Sequence, residues 1–432
     1  MLVLALRSIR RRPGRFLATL LSAFLGATVV MAFGSLRDTA AQRGLDPASA
    51  DALGISASVV GGYGSLLVFF AVASALTVEV RRRAPELELL RRAGATPAQL
   101  RRMVAGEAVA VALAGTLLAI GPAVLGGRVL LGLFQDGGLV ARSADHVFGP
   151  GALLTGAGTT LGAAAGAALL ALRRAGRAAV RRGRGRTVLA YGALVAGAGS
   201  VSATFLFPST DPALMAAPAY GTILLSVGLA LLAPRLLSAL LAAPVPAGAS
   251  GWLAVRTLRR RLDHVSGVLM SLVLFTAVST ATLTMQSVES GTGAARTADG
   301  RTVEAVNLTV VGIIAVFVCL MLVNSLYAAT VHRGPEFGAQ RLAGATPGQV
   351  LRAVGVETAV LTAAGVLLGT AAALAGIVPF TVVRTDGTLP GRALGIWLAV
   401  AAVCAAVTLG TGLGTARRVL RTPAVAAVAS AG

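Results

Sequence analysis

Arg83-Ala84-Pro85-Glu86-Leu87-Glu88-Leu89-Leu90-Arg91-Arg92-Ala93-Gly94-Ala95-Thr96-Pro97-Ala98-Gln99 is answered, 250 residues further on, by Arg333-Gly334-Pro335-Glu336-Phe337-Gly338-Ala339-Gln340-Arg341-Leu342-Ala343-Gly344-Ala345-Thr346-Pro347-Gly348-Gln349. The correspondence continues at the same offset, with Arg102 matching Arg352, Glu107 matching Glu357 and Gly115 matching Gly365. Long apolar runs flank each copy. The chain is an internal duplication in which one polar device recurs between membrane-length segments.

The surroundings of the device define the class. Hydrophobic residues make up 56% of the chain, the mean hydropathy is +0.80 and only 13% of residues are charged, against about a quarter in a soluble domain. This composition belongs to an integral membrane protein. Apolar runs long enough to cross a bilayer as helices fall at about 16–35, 55–78, 105–127, 150–172, 188–207, 216–240, 265–285, 305–330, 353–380 and 393–416. Assigning the connections alternately to the two faces places 30 of the 38 arginines on one side and eight on the other. By the positive-inside rule that side is the cytoplasm, and both termini lie there. The net charge of +21 is therefore topological, and a nucleic-acid partner is not needed to explain it. The segment 173–187, rich in arginine, reads as a basic linker against anionic lipid headgroups.

A second echo, Ala5-Leu6-Arg7 through Arg12 against Ala254-Val255-Arg256 through Arg261, marks where each repeat begins. The expected fold is an all-α integral membrane protein of about ten transmembrane helices, two parallel four-helix repeats joined by two linking helices. The first repeat occupies 1–187, the linking helices 188–245 and the second repeat 246–432. Six spans separate equivalent points, so the repeats share one orientation and are related by a pseudo-twofold axis along the membrane normal.

Several chemistries are excluded. Every basic Lys or Arg position is arginine; without lysine there is no Walker A amine and no Schiff base. Cys319 and Cys404 sit in apolar runs and read as small buried hydrophobes rather than metal ligands or a disulfide. The histidines, His146, His264 and His332, are scattered, and no nucleophile triad or metal-ligand cluster appears. No ionisable residue falls in the middle of a span, where it would mark an ion or proton pathway. The chain is therefore expected to be no enzyme and to carry no cofactor of its own.

The repeated block reads as a short capped helix followed by a second helix start. Pro85 suits a first helical position, Glu86 and Glu88 lie at the positive end, Arg91 and Arg92 at the negative end, and Gly94 can stop the helix with a left-handed cap. Thr96 then caps the next helix, with Gln99 closing a capping box, and Thr346 and Gln349 repeat the arrangement. In the second copy Gly338 replaces Glu88, so that helix is expected to be weaker or to dock differently. Glu107 and Glu357 are expected to pair with Arg102 and Arg352 or with headgroups. Asn307 and Asn324 read as interhelical hydrogen-bond partners, and Gly158, Gly162 and Gly166, like Gly365 and Gly369, as candidate packing stripes.

The doubled pattern of Arg, Pro-Glu, Arg, Ala-Gly-Ala-Thr-Pro and Gln, leading into a Glu-containing, Gly-rich span, resembles the FtsX-like permease domain of ABC transporters of the MacB type. The resemblance covers both four-span repeats. It implies a permease subunit of the bacterial cytoplasmic membrane whose two short helices are coupling helices for a separately encoded ABC ATPase, two copies of which bind ATP and magnesium. On that resemblance Glu86, Leu87, Leu90, Arg91, Glu336, Phe337, Gln340 and Arg341 dock the ATPase. Membrane lipid is the other expected partner, and the implied cargo is amphiphilic: a lipid, lipopeptide or lipoprotein. The alternative is a non-transporting subunit that transmits ATPase motion across the membrane. The resemblance departs at residues 36–52 and 286–303, short loops where such permeases carry a large extracytoplasmic domain.

Overall fold

The computed structural model describes residues 17–82, 84–175, 182–209, 214–240, 248–291, 298–331, 333–385, 387 and 390–425. Among these residues the chain is helical throughout, without strands. The first repeat comprises α1 (Leu17–Ala40), α2 (Pro47–Arg82), the short α3 (Ala84–Arg92), α4 (Pro97–Asp136) and α5 (Pro150–Ala175). A hairpin follows, of α6 (Arg182–Ser202), a 3-10 turn (Ala203–Leu206) and α7 (Ala216–Leu240). The second repeat comprises α8 (Gly248–Gly291), α9 (Ala298–Val331), the short α10 (Gly334–Leu342), α11 (Pro347–Thr385) and α12 (Ala393–Leu420).

Except for the fifth, 188–207, which runs from α6 through the 3-10 turn, each expected span lies along one long helix. Seven of the long helices are apolar and long enough over their described residues to cross a membrane, and the chain is an all-α membrane protein. Several run well past the apolar stretch that defines them. α4 has 40 residues and α8 has 44, so at 1.5 Å per residue they reach about 60 Å or more, roughly twice a bilayer core. The arginine-rich echo at Arg256–Arg261, which precedes the apolar run at 265–285, belongs to the continuous helical foot of α8.

Within each repeat the first and third long helices interlock in the same way: α1 packs most closely on α4, and α8 on α11. Glycine permits this approach. A Cβ at Gly115 would lie 2.9 Å from Ala23 Cβ and 3.1 Å from Leu20 O, and one at Gly365 would lie 2.5 Å from Leu272 Cβ. Gly369 meets Thr276 Cβ at 2.6 Å and Val273 O at 2.9 Å. The second stripe is thus a packing face. Gly158, Gly162 and Gly166 are not: a Cβ at any of them would meet nothing within 4 Å. That stripe faces away from the other helices, and in an Ala/Gly-rich chain the spacing alone did not distinguish the two cases.

The repeats meet reciprocally. α1 of the first contacts α9 of the second, α8 contacts α2 in turn, and α2 also touches α9. Since α1 corresponds to α8 and α2 to α9, this is the pattern of an isologous dimer interface within one chain. Leu67 and Phe317, equivalent at the 250 offset, line the same small apolar cavity on this interface. Asn324 donates to Ser22 Oγ at 2.8 Å, buried between α9 and α1, the interhelical role expected of it. The Asn307 side chain lies outside the described residues. α6 and α7 pair with each other, and α7 packs on α8, α11 and α2, joining the hairpin to both repeats.

Candidate functional site

The two short helices, nine residues each, form matching knuckles at one end of the bundle. Their termination is identical hydrogen bond for hydrogen bond. Gly94 and Gly344 both have φ of +96°. Gly94 N–H donates to Arg91 O at 3.1 Å and Ala95 N–H to Leu90 O at 3.0 Å, while Gly344 N–H donates to Arg341 O and Ala345 N–H to Gln340 O, both at 3.0 Å. This paired bonding is a Schellman motif, and only a residue without Cβ enters the left-handed region without cost. Two residues on, Thr96 N–H donates to Gln99 Oε1 at 2.9 Å and Gln99 N–H to Thr96 Oγ1 at 3.3 Å. Thr346 and Gln349 repeat both distances. Each knuckle is thus held at a sharp, pre-set angle to the long helix that follows it.

The knuckles differ in how they are fastened. α3 packs on α2 and α4, whereas α10 packs on α11 and α12. Phe337, 1% exposed, is buried in a cluster with Val350, Val354 and Ala416, with Val419 and Leu420 packed against it. Arg341 donates to Leu420 O at 3.1 Å and to Thr422 O at 2.9 Å. Arg333, at the start of the helix, pairs through Nε with Glu336 Oε2 at 3.1 Å and through Nη2 with Glu357 Oε2 at 2.8 Å. Its guanidinium also lies over the Phe337 ring, 5.1 Å from the centroid. Burial opposes its charge, but the Glu357 and Glu336 carboxylates prevail and hold Arg333 above the ordinary arginine value.

Two sequence expectations are corrected here. Glu357 pairs with Arg333, not Arg352, because the knuckle folds back over the start of α11 and brings the two side chains together. Leu87 and Phe337, assigned to docking, are buried and anchor the knuckles to the bundle. Gly338, expected to leave the second helix weaker or differently docked, is itself buried, and α10 packs on α11 and α12 where α3 packs on α2 and α4. Glu107, the counterpart of Glu357, is also buried. Arg83, the counterpart of Arg333, and the side chain of Glu86 lie outside the described residues.

What remains on the outward face is apolar and basic. Leu89 is 66% exposed, Leu90 41% and Leu342 58%, with Arg91 and Arg92 exposed beside them and Gln340 half-buried. Leu89 and Leu342 lie within the segments Glu86–Arg92 and Glu336–Leu342 that the resemblance implies for docking, but are not among the individual residues named for it. Their signal is positional: on a helix this short, a leucine out of phase with the buried Leu87 or Phe337 must face outward. Glu336 and Arg341 are occupied by the internal pairs just described. Among the described residues no group of three or more His, Cys, Asp or Glu could hold a metal ion.

A search of curated proteins found no match to the chain. A family model, FtsX-like permease C-terminal, matches twice, over residues 58–180 and 308–424. The two matched segments begin 250 residues apart, each contains one knuckle, and together they span more than half of the chain. The chain belongs to the FtsX-like permease family, membrane subunits of ABC-type systems that work with a separate ATPase subunit.

Proposed function

We propose that the chain is a complete pair of transmembrane halves for an ABC transporter of the bacterial cytoplasmic membrane, with both termini and both knuckles in the cytoplasm. One separately encoded ATPase, in two copies, docks on the two knuckles and supplies the ATP- and magnesium-binding sites. The observation carrying this reading is the duplicated, rigidly capped helix with exposed leucines, held by a buried anchor on its other face. A nine-residue helix is too short to persist alone in water, and exposed leucines beside arginines suit a partner groove better than solvent. The docking set is accordingly Leu89, Leu90 and Arg91 on α3 and Leu342 with Gln340 on α10. The domain limits follow the repeats, 1–187 and 246–432 with 188–245 between them, which agrees with one family segment in each.

When the ATPase subunits close, the push enters α2 and α4 through α3, and α11 and α12 through α10. Their interlocked partners α1 and α8 line the interface between the repeats, so the displacement is delivered there. The cargo is amphiphilic, in keeping with the apolar cavity on that interface. The test is copurification with a candidate ATPase, comparing the native chain with Leu89→Asp plus Leu90→Asp and with Leu342→Asp. Loss of the ATPase from variants that insert and purify normally is the expected result. Full retention in all of them would overturn the docking assignment, and an ATPase held without stimulation by lipids or lipopeptides would turn the reading to mechanical transmission.

A further inference from the structure

α8 is the most enclosed of the long helices, in contact with α2, α7, α9, α11 and α12, yet its half away from the knuckles is rich in hydroxyls. Ser279, Thr280 and Thr284 are 2%, 4% and 0% exposed. Many helical Ser and Thr in this chain return their proton to the carbonyl four residues back, as Thr28 does to Phe24, Thr282 to Val278, Thr358 to Val354 and Thr381 to Ile377. The hydroxyls of Ser279, Thr280, Thr284 and Ser287 are buried and make no hydrogen bond to the protein. They are turned away from the carbonyls that would satisfy them.

Thr280, Thr284 and Ser287 are four and three residues apart and so share one face of α8. Successive hydroxyls on such a face are one helical turn apart, about 5.4 Å. Two hydrogen bonds of about 2.8 Å span that gap, so one water can bridge each neighbouring pair. Buried polar groups are rarely left unpaired, and recurrent hydroxyls at water-bridging intervals supply the polar partners that an ordered water file needs.

The first repeat shows how equivalent polar groups of α1 are satisfied. Gly115 lies on Ala23 and its counterpart Gly365 on Leu272, which sets the offset within α1 and α8 at 249. Thr284 and Ser287 then correspond to Ser35 and Asp38. Both are polar, and both are satisfied. Ser35 Oγ donates to Ala32 O at 2.7 Å and lies 3.0 Å from His146 Nε2. Asp38 Oδ2 accepts from Gly149 N–H at 2.9 Å and Ala152 N–H at 2.8 Å. The partners come from the loop 137–149 and the start of α5. Between α11 and α12 the matching connection is only 386–392, too short to lay the same cover over α8.

We infer that the face of α8 carrying Thr280, Thr284 and Ser287 lines a hydrated seam, which admits water and small hydrophilic molecules from the end opposite the knuckles to about the middle of the membrane. The inference does not depend on the ATPase or the cargo. It is tested by placing single cysteines, Thr280→Cys, Thr284→Cys and Ser287→Cys, in a Cys319→Ala, Cys404→Ala chain in lipid nanodiscs. The probe is a quaternary-ammonium methanethiosulfonate, which reacts with the thiolate formed only where water reaches the thiol. Ala281→Cys, placed in the apolar cluster with Met285 and Phe380, is the dry control. Modification at least tenfold faster at 280 and 284 than at 281 is expected, and equal rates would overturn the seam. Thr280→Val with Thr284→Val gives an independent reading: a hydrated seam loses its water bonds and the protein melts lower, whereas an unchanged or higher melting point means the site was dry.

Discussion

Replacing Arg333 by leucine isolates what fastens the second knuckle. The guanidinium is 14% exposed and its partner Glu357 7%, so the substitution leaves a carboxylate buried without its cation. Breaking such a pair from one side costs about 3–5 kcal/mol, while exchanging both members for apolar groups of similar size is often close to neutral. Arg333→Leu should therefore destabilise by about 3–5 kcal/mol, a range that takes in the lost stacking on Phe337, about 0.5–1 kcal/mol at a partly exposed site. Arg333→Leu combined with Glu357→Leu should recover most of the loss, since the buried carboxylate is then gone and only the bond to the more exposed Glu336 is lost. The assay is reversible unfolding in mixed micelles for the native chain, both single variants and the double, read as a double-mutant cycle. A single-variant cost below about 1 kcal/mol, or a double variant as damaged as the two singles together, would refute the claim that this pair is a buried, mutually dependent unit.

Other consequences are open to the same measurement. Gly369→Ala should cost about 1–3 kcal/mol by forcing a methyl against Thr276 and the Val273 carbonyl, whereas Gly162→Ala, with open space around it, should be neutral or slightly stabilising. Gly344→Ala should cost about 1–2 kcal/mol because alanine is strained at positive φ, and Thr346→Ala about 1 kcal/mol through loss of the cap; equal values for Gly94→Ala and Thr96→Ala would show the two knuckle ends to be energetically equivalent. His146 is held below its usual value of 6.5 by burial and then by Arg128. The unfolded chain therefore takes up the proton first as pH falls, and the folded state should lose stability as pH drops through about 6.5. That loss should shrink in His146→Gln, and a native chain whose stability is flat between pH 5 and 8 would contradict the assignment.

The long helices and both capped knuckles were legible because their determinants are local. Twenty apolar residues, a Pro at a helix start, a Gly at its end and a Thr three residues before a Gln each act within a few positions. Partner choice is not local. Glu357 had an arginine five residues before it in sequence, and the fold supplied another 24 residues away by turning the knuckle back over α11. Leu87 and Phe337 read as available for docking because they are apolar on an exposed segment. Only the packing of α3 and α10 on neighbouring helices shows that this side faces in and that Leu89 and Leu342 face out. The seam on α8 had no sequence signature at all. Serine and threonine are ordinary in membrane helices, and what distinguishes Thr280 and Thr284 from Thr282 is the direction of a hydroxyl.

The bond between Asn324 and Ser22 has a consequence for the whole assembly. At the repeat offsets the counterparts of Ser22 and Asn324 are Ser271 and Ser74, so a serine stands where the asparagine's equivalent would be, and Ser271 donates to Ser325, 2.8 Å away within the second repeat. Two separate identical subunits could not make this distinction, since any residue introduced on one side of a twofold interface appears on the other. Joining the copies in one chain removes that restriction and holds the second half beside the first at high effective concentration. An interface so tethered can be loose enough to part on every cycle without the halves ever being lost to each other.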